Sequence, residues 1–220
     1  MNTPDLFIFD MDGLIFDSER TYMYEIQKAM KVRGYELTEE NYVKIVGIRF
    51  PDSERIMKEC YGEDVPFAEA ISIARPEMLR IAASGNLAVK PGIRELLSVI
   101  REMGIPAVVA SSSKEETVSV YLEGAGLTDY FPYKLGGDQV VKGKPDPEVF
   151  LTCCAHAGVR PERALVIEDS VNGIKAALAA GIPVICIPDM VEPGEELKGK
   201  LTALCSDGFE VIRLLKEMTG

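Results

Sequence analysis

The sequence predicts an α/β protein, a Rossmann-like parallel sheet core interrupted by an inserted α-helical cap domain. Three observations carry this prediction. Continuous apolar runs recur at Leu6–Phe9, Ala107–Ala110, Ala164–Ile167 and Pro183–Ile187, and runs without alternation suit strands buried on both faces of a helix-covered sheet. From Lys90 onward these runs alternate with helix-length stretches, the pattern of right-handed crossovers between parallel strands. Between Ser18 and Ala83 no strand-like run occurs, and apolar residues fall at helical spacing instead.

The first strand, Leu6-Phe7-Ile8-Phe9, runs directly into Asp10-Met11-Asp12-Gly13. Ligands of open α/β sheets sit beyond the carboxyl ends of the strands, so this carboxylate pair stands where chemistry is expected. Two such groups repel each other when both are ionised, so the pair calls for a cation or a shifted pKa. A solvated acidic turn is the bland alternative. The next stretch reads as about four helices, with starts at Thr38-Glu39-Glu40 and Asp52-Ser53-Glu54 and an apolar face of Tyr22, Ile26, Ala29 and Met30. Ser84-Gly85-Asn86 is the exit linker, giving a core of residues 1–16 and 86–220 and a cap of residues 17–85. Joined by two linkers, the cap is expected to cover the strand ends as a lid.

Pro91-Gly92 opens a helix carrying Ile93, Leu96, Leu97 and Ile100, which Gly104 ends. The strand Ala107–Ala110 follows and stops at Ser111-Ser112-Ser113, before a helix with Val118, Tyr121 and Leu122. Tyr133–Gly136 is a weaker strand, Pro145 to Ala157 a helix, Ala164–Ile167 a strand and Val171 to Ala180 a helix. Pro183–Ile187 and Ala203–Cys205 complete the strands, and Ser206-Asp207 caps a final helix.

Composition narrows the function. A hydrophobic content of 47% with 27% charged residues is that of a soluble globular chain, and no apolar run approaches the roughly 20 residues that span a bilayer. With no export signal visible, a cytoplasmic protein is expected. The formal charge of −11 disfavours nucleic acid and anionic membrane as partners. A small phosphorylated substrate stays compatible, because local cations can dominate a small site. Cys60, Cys153, Cys154, Cys186 and Cys205 form no C-x-x-C pair and read as reduced, packed thiols. The single histidine, His156, lies on a helix where a surface role is expected, which leaves histidine-clustered zinc without ligands.

The main strands end in groups that together suit phosphoryl transfer: Asp10 after the first, Ser111 after the second, Glu168-Asp169-Ser170 after the fourth. A Gly143-Lys144-Pro145 turn opens the intervening helix. Taken singly, Ser111 to Ser113 could be a helix cap, Lys144 a surface lysine and Glu168-Asp169 a solvated turn. A parallel sheet, however, puts all of these ends along one edge. Three carboxylates, a lysine and a hydroxyl there match a magnesium site bearing a phosphoryl group.

Asp10-x-Asp12-Gly13, Ser111, Lys144 in Gly-Lys-Pro-Asp-Pro, and Glu168-Asp169-Ser170-x-x-Gly173 resemble the four motifs of the haloacid dehalogenase-like superfamily, in order and over essentially the whole chain. The insertion is similar to the helical cap of the subgroup of small-metabolite phosphatases and β-phosphoglucomutase. The resemblance implies that Asp10 is the nucleophile, forming an aspartyl phosphate, and that Asp12 is the acid and base. It implies Mg²⁺ held by Asp10, by the Asp12 backbone carbonyl and by Asp169, with Glu168 supporting or acting through water. Lys144 would offset negative charge, Ser111 would donate to a phosphoryl oxygen, and Gly13 would permit the turn after the carboxylates.

Dehalogenases of the superfamily use one aspartate without metal, which Asp12 and Asp169 together argue against. Mutase relatives carry a cap histidine where Tyr22 stands, and a phosphate-binding arginine where this chain has Phe50. Arg49 is one position early, and Arg75 is either a second cap cation or an exposed helix arginine. Tyr22, Arg49, Phe50 and Arg75 are the candidate substrate residues. These departures favour a phosphatase acting on a small phosphorylated metabolite, with a β-phosphoglucomutase-type mutase second. A catalytically idle binding module comes third.

Overall fold

The computed structural model describes residues 3–48 and 50–219. Strand β1 (Leu6–Phe9) is followed by four helices, α1 (Ser18–Val32), α2 (Glu39–Val43), α3 (Asp52–Tyr61) and α4 (Phe67–Ala83). The chain then alternates: α5 (Ile93–Glu102), β2 (Ala107–Ala110), α6 (Glu115–Gly124), β3 (Tyr133–Leu135), α7 (Glu148–Ala157), β4 (Ala164–Glu168) and α8 (Val171–Ala179). It ends with β5 (Val184–Cys186), α9 (Glu195–Lys198), β6 (Ala203–Leu204) and α10 (Gly208–Thr219). The strands form one parallel sheet in the order β3-β2-β1-β4-β5-β6. The expected Rossmann-like core is therefore present, with β1 at its centre between β2 and β4.

Successive side chains of a strand point to opposite faces, and here both faces are apolar. Phe7 and Phe9 join Ile167, Leu96 and Val211 on one side. Leu6 and Ile8 join Val166, Phe150 and Ile174 on the other. All four β1 side chains are fully buried, which explains the unalternated run. A third cluster lies within the helical segment, where Ile26 and Met30 of α1 meet Met57, Phe67 and Ala74. Helix α4 serves two clusters. Ala70 and Ala74 belong to the helical one, while Met78 and Ala82 pack with the sheet.

The helix expected from Pro145 starts only at Glu148. Pro145 and Pro147 have no N–H to give, and Asp146 Oδ1 accepts from Glu148 N at 3.1 Å, which favours a turn before the helix. The Glu148 carboxylate in turn accepts from the N–H groups of Val141 and Lys142 at 2.8 and 2.9 Å. Helix α9 is an addition to the expected elements. Thr38 caps α2 by accepting from Asn41 N, and Asp207 accepts from Glu210 N at the start of α10. No helix among the described residues is long and apolar enough to cross a membrane.

Candidate active site

Asp10 follows β1 directly and extends its ladder, its N–H donating to Ile167 O at 3.0 Å. Gly13 then turns the chain at φ +80°, and a Cβ there would lie 2.3 Å from Asp169 Oδ2. Glycine is required twice over, by the backbone conformation and by the approaching carboxylate. Ser111 continues β2, donating its N–H to Leu135 O, and Glu168 ends β4. The sheet topology thus gathers the three strand ends along its carboxyl edge.

Lys144 reaches in from the loop before α7 and binds three of these groups. Its Nζ donates to Asp10 Oδ1, to Glu168 Oε1 at 2.7 Å and to Ala110 O at 3.1 Å. Lysine, both carboxylates and Ser111 are all buried. Burial would lower the Lys144 pKa, but the carboxylates of Asp10 and Glu168 outweigh it and hold the ammonium charged. Burial pushes the Asp10 carboxyl up; Lys144 opposes this, and Glu168 and Asp12 add to it. Burial likewise raises Asp169, reinforced by Glu168 and Asp10.

Glu168 has no free oxygen. Oε1 takes Lys144, while Oε2 accepts from the N–H groups of Asp169 and Ser170 at 2.8 and 2.7 Å and from Ser170 Oγ at 3.0 Å. Asp169 differs: its Oδ1 is buried with no hydrogen-bond partner. Asp10, Glu168 and Asp169 each bring a carboxylate oxygen within 4.8 Å of the others. A buried acceptor without a donor costs free energy, and an all-oxygen donor set suits a hard divalent cation. The arrangement fits a metal next to Asp10 and Asp169.

Asp12 faces the second strand end. Ser113 Oγ donates to its Oδ2 at 2.8 Å, and Ser111 Oγ lies 3.5 Å from the same atom. Burial raises the Asp12 pKa, and the Ser113 hydroxyl opposes the rise. The serines do not cap α6, since Asp138 Oδ1 accepts from Glu115 N there.

These groups open into a cavity of about 750 Å³. Asp10, Asp12, Lys144 and Asp169 line it from the sheet edge, and Glu19, Val46, Gly47, Ile48 and Asp52 from the helical segment. Of the four cap candidates, Arg49 lies outside the described residues. Phe50 is about half exposed, and Tyr22 is packed between the sheet cluster and the helical cluster. Arg75 is exposed beside the Tyr22 hydroxyl. Tyr22, Phe50 and Arg75 are not among the cavity's lining residues. His156 is exposed and stacked on Tyr133 with ring centroids 3.6 Å apart, and all five cysteines are free thiols.

Sequence reasoning misses three residues here. Ser113 needed the folded loop to reveal its contact with Asp12. Glu19 reads as an ordinary acidic residue in the first turn of α1, yet it lines the cavity and accepts from the Tyr42 hydroxyl at 2.9 Å. Burial, with the nearby Asp12 charge, pushes Glu19 up to about 7. Asp189 follows β5 and carries the same strand-end signal as Asp10, masked by Pro188.

Both the sequence and the fold have known relatives. The chain is 30% identical over 212 residues to the phosphorylated carbohydrates phosphatase of Thermotoga maritima, covering 96% of this chain and 98% of that one. Its fold matches a HAD family hydrolase from Deinococcus radiodurans solved with bound phosphate and sodium. That match has a TM-score of 0.86 at 24% identity and covers 100% of this chain and 98% of the other. The β-phosphoglucomutase of Clostridium difficile shares the fold at a TM-score of 0.74 and 21% identity, covering 98% and 97% of the two chains. The family model of haloacid dehalogenase-like hydrolases matches residues 4–181, and the chain belongs to that family.

Proposed function

We propose that the protein is a magnesium-dependent phosphatase that hydrolyses a small phosphorylated metabolite, a sugar phosphate, through an aspartyl-phosphate intermediate. The observation that carries this reading is the Asp10–Lys144–Glu168 ion-pair chain beside Asp169, at one end of a cavity large enough for a metabolite. Asp10 and Asp169 would hold the ion through side-chain oxygens and Asp12 through its backbone carbonyl. When bound, magnesium would supply positive charge that neutralises the phosphoryl oxygens and the Asp10 carboxylate. Glu168, with both oxygens engaged, supports the site by holding Lys144 and the turn after β4.

Asp10 attacks phosphorus, and the bond to the leaving oxygen breaks. Lys144, kept charged by its two carboxylates, holds Asp10 Oδ1 in place and offsets the charge of the phosphoryl group. Asp12, raised by burial, carries a proton to the leaving oxygen and then takes one from the water that hydrolyses the aspartyl phosphate. Ser113 orients Asp12. Ser111 Oγ accepts from Ser113 N at 2.9 Å, but its own proton has only the 3.5 Å contact with Asp12 and is available to a phosphoryl oxygen.

In this reading residues 17–85 form a cap over a core of residues 1–16 and 86–220 and choose the leaving group. The phosphatase reading is favoured over a mutase because Lys144 is the sole cation among the described residues lining the cavity. A second phosphoryl group would meet Glu19 and Asp52 instead. Free thiols fit a cytoplasmic location. The test is phosphate release from a panel of sugar phosphates, nucleotides and small organic phosphates with Mg²⁺, beside a coupled mutase assay with a bisphosphate primer. Metal-dependent release without primer is expected. Primer-dependent isomerisation of a hexose phosphate without release would overturn the assignment, and so would binding without turnover.

A further inference from the structure

We infer that Asp189 is an outer carboxylate of the metal site, a positioning residue whose Oδ2 accepts a hydrogen bond from the hydration shell of the bound magnesium. The inference rests on the magnesium reading above. Asp189 lies just beyond β5, the neighbour of β4 in the sheet, so it reaches the same carboxyl edge as Asp169. It lines the cavity together with Asp10, Asp12 and Asp169.

The two oxygens of this carboxylate have different surroundings. Oδ1 accepts from Lys90 Nζ at 2.7 Å and from Arg20 Nη1. Lys90 Nζ also donates to Gly13 O at 2.7 Å, which ties Asp189 to the turn carrying the catalytic pair. Oδ2 is buried and has no hydrogen-bond partner, on a side chain only 3% exposed. Its direction is readable from Gly13, where a Cβ would lie 2.3 Å from Asp169 Oδ2 and 3.3 Å from Asp189 Oδ2. Both carboxylates therefore border the same side of Gly13.

A surface salt bridge would leave its spare oxygen in water. Here two cations clamp Oδ1, and the orphan Oδ2 lies on the side of Gly13 that faces the Asp169 carboxylate, whose Oδ2 borders the same point and whose Oδ1 is itself without a partner. A hydrated cation held by Asp169 would supply hydrogen-bond donors to Asp189. Magnesium keeps several waters in protein sites, and groups that orient a metal's surroundings are typically worth about 10–100-fold in metal affinity.

The test is Mg²⁺ binding to the full chain by titration calorimetry without substrate, with thermal unfolding of the metal-free protein measured alongside. Asp189→Asn keeps an oxygen for Lys90 and Arg20 but puts an amide in place of one carboxylate oxygen. It should raise the Mg²⁺ dissociation constant about 10-fold or more, while Asp169→Asn removes measurable binding. Asp189→Glu keeps the charge but displaces it, should also weaken binding, and decides the matter if the asparagine variant does not fold. A purely structural Asp189 would lower the metal-free unfolding temperature and leave Mg²⁺ affinity unchanged, which would overturn the inference alone. Absence of Mg²⁺ binding by the unsubstituted protein would overturn the magnesium reading itself, and this inference with it.

Discussion

Gly173 and Glu168 are in contact through the absence of a side chain: a Cβ at residue 173 would lie 1.6 Å from Glu168 Oε1. The first turn of α8 thereby leaves room for the carboxylate that holds Lys144, while the cap of the same helix, Ser170, donates to Glu168 Oε2 and accepts from Gly173 N. Gly173→Ala must push Glu168 away and cost Lys144 its 2.7 Å partner. Overpacking of a filled site costs about 1–3 kcal/mol. Urea unfolding should report a loss of that size, and turnover should fall with it. An alanine variant of normal stability and rate would show that Glu168 does not need its observed place.

Ser113→Ala tests the Asp12 environment. The hydroxyl lowers a pKa that burial raises, so its removal moves Asp12 further up. If Asp12 acts as base in the hydrolysis of the phosphoenzyme, the acid limb of the kcat profile should shift to higher pH, with the plateau rate less affected. An unmoved limb would place the proton transfer elsewhere.

The parts of this site that are legible in the chain are those written on one strand and its next few residues. Asp10, Ser111 and Glu168-Asp169 each follow a buried apolar run, and a parallel sheet leaves them no other place than one edge. What escapes is whatever depends on two elements meeting. Asp189 follows a run of the same kind, but Pro188 makes it look like a turn. Glu19 and Ser113 take their meaning from Tyr42 and Asp12, which are 23 and 101 residues away. The start of α7 is displaced for a local reason, two prolines bracketing an aspartate that bonds forward to Glu148. Tyr22 and Phe50 are named by their place in a motif, and a motif does not record which way a cap side chain packs.

Metal dependence follows from the donor set. With all-oxygen ligands and the orphan Asp169 Oδ1, phosphate release should stop with a chelator and return with Mg²⁺. Full turnover in metal-free buffer would remove the metal from the scheme.

Glu19 gives the fold a pH dependence whose sign is fixed. Its carboxyl stands near 4.5 when unfolded and at about 7 when folded, so the folded state holds its proton to higher pH. The charge therefore costs nothing below pH 4.5, costs increasingly up to pH 7, and levels off above it. The full effect is roughly 3–4 kcal/mol. Glu19→Gln keeps an acceptor for Tyr42 and removes the charge. Its stability advantage over the unsubstituted protein, from urea unfolding, should be small at pH 4.5 and largest near pH 8. An advantage that does not change with pH would mean that Glu19 is not buried as a carboxylic acid.

Asp10 and Asp12 are separated by kinetics and by labelling. Asp10→Asn removes the nucleophile while keeping an oxygen for Lys144, so turnover and covalent labelling should both vanish in a folded protein. Asp12→Asn keeps the backbone carbonyl but removes the proton donor and base. General acid–base assistance is worth about 10²–10⁴-fold, and an aryl phosphate with a good leaving group needs little of it in the first step. The Asp12 variant should therefore retain more of its rate on aryl than on alkyl phosphates, and should accumulate phosphoenzyme when hydrolysis of the intermediate is the slower step. Mass spectrometry of the trapped phosphopeptide identifies the labelled residue. A label on Asp12, or normal turnover by Asp10→Asn, would reverse the two roles.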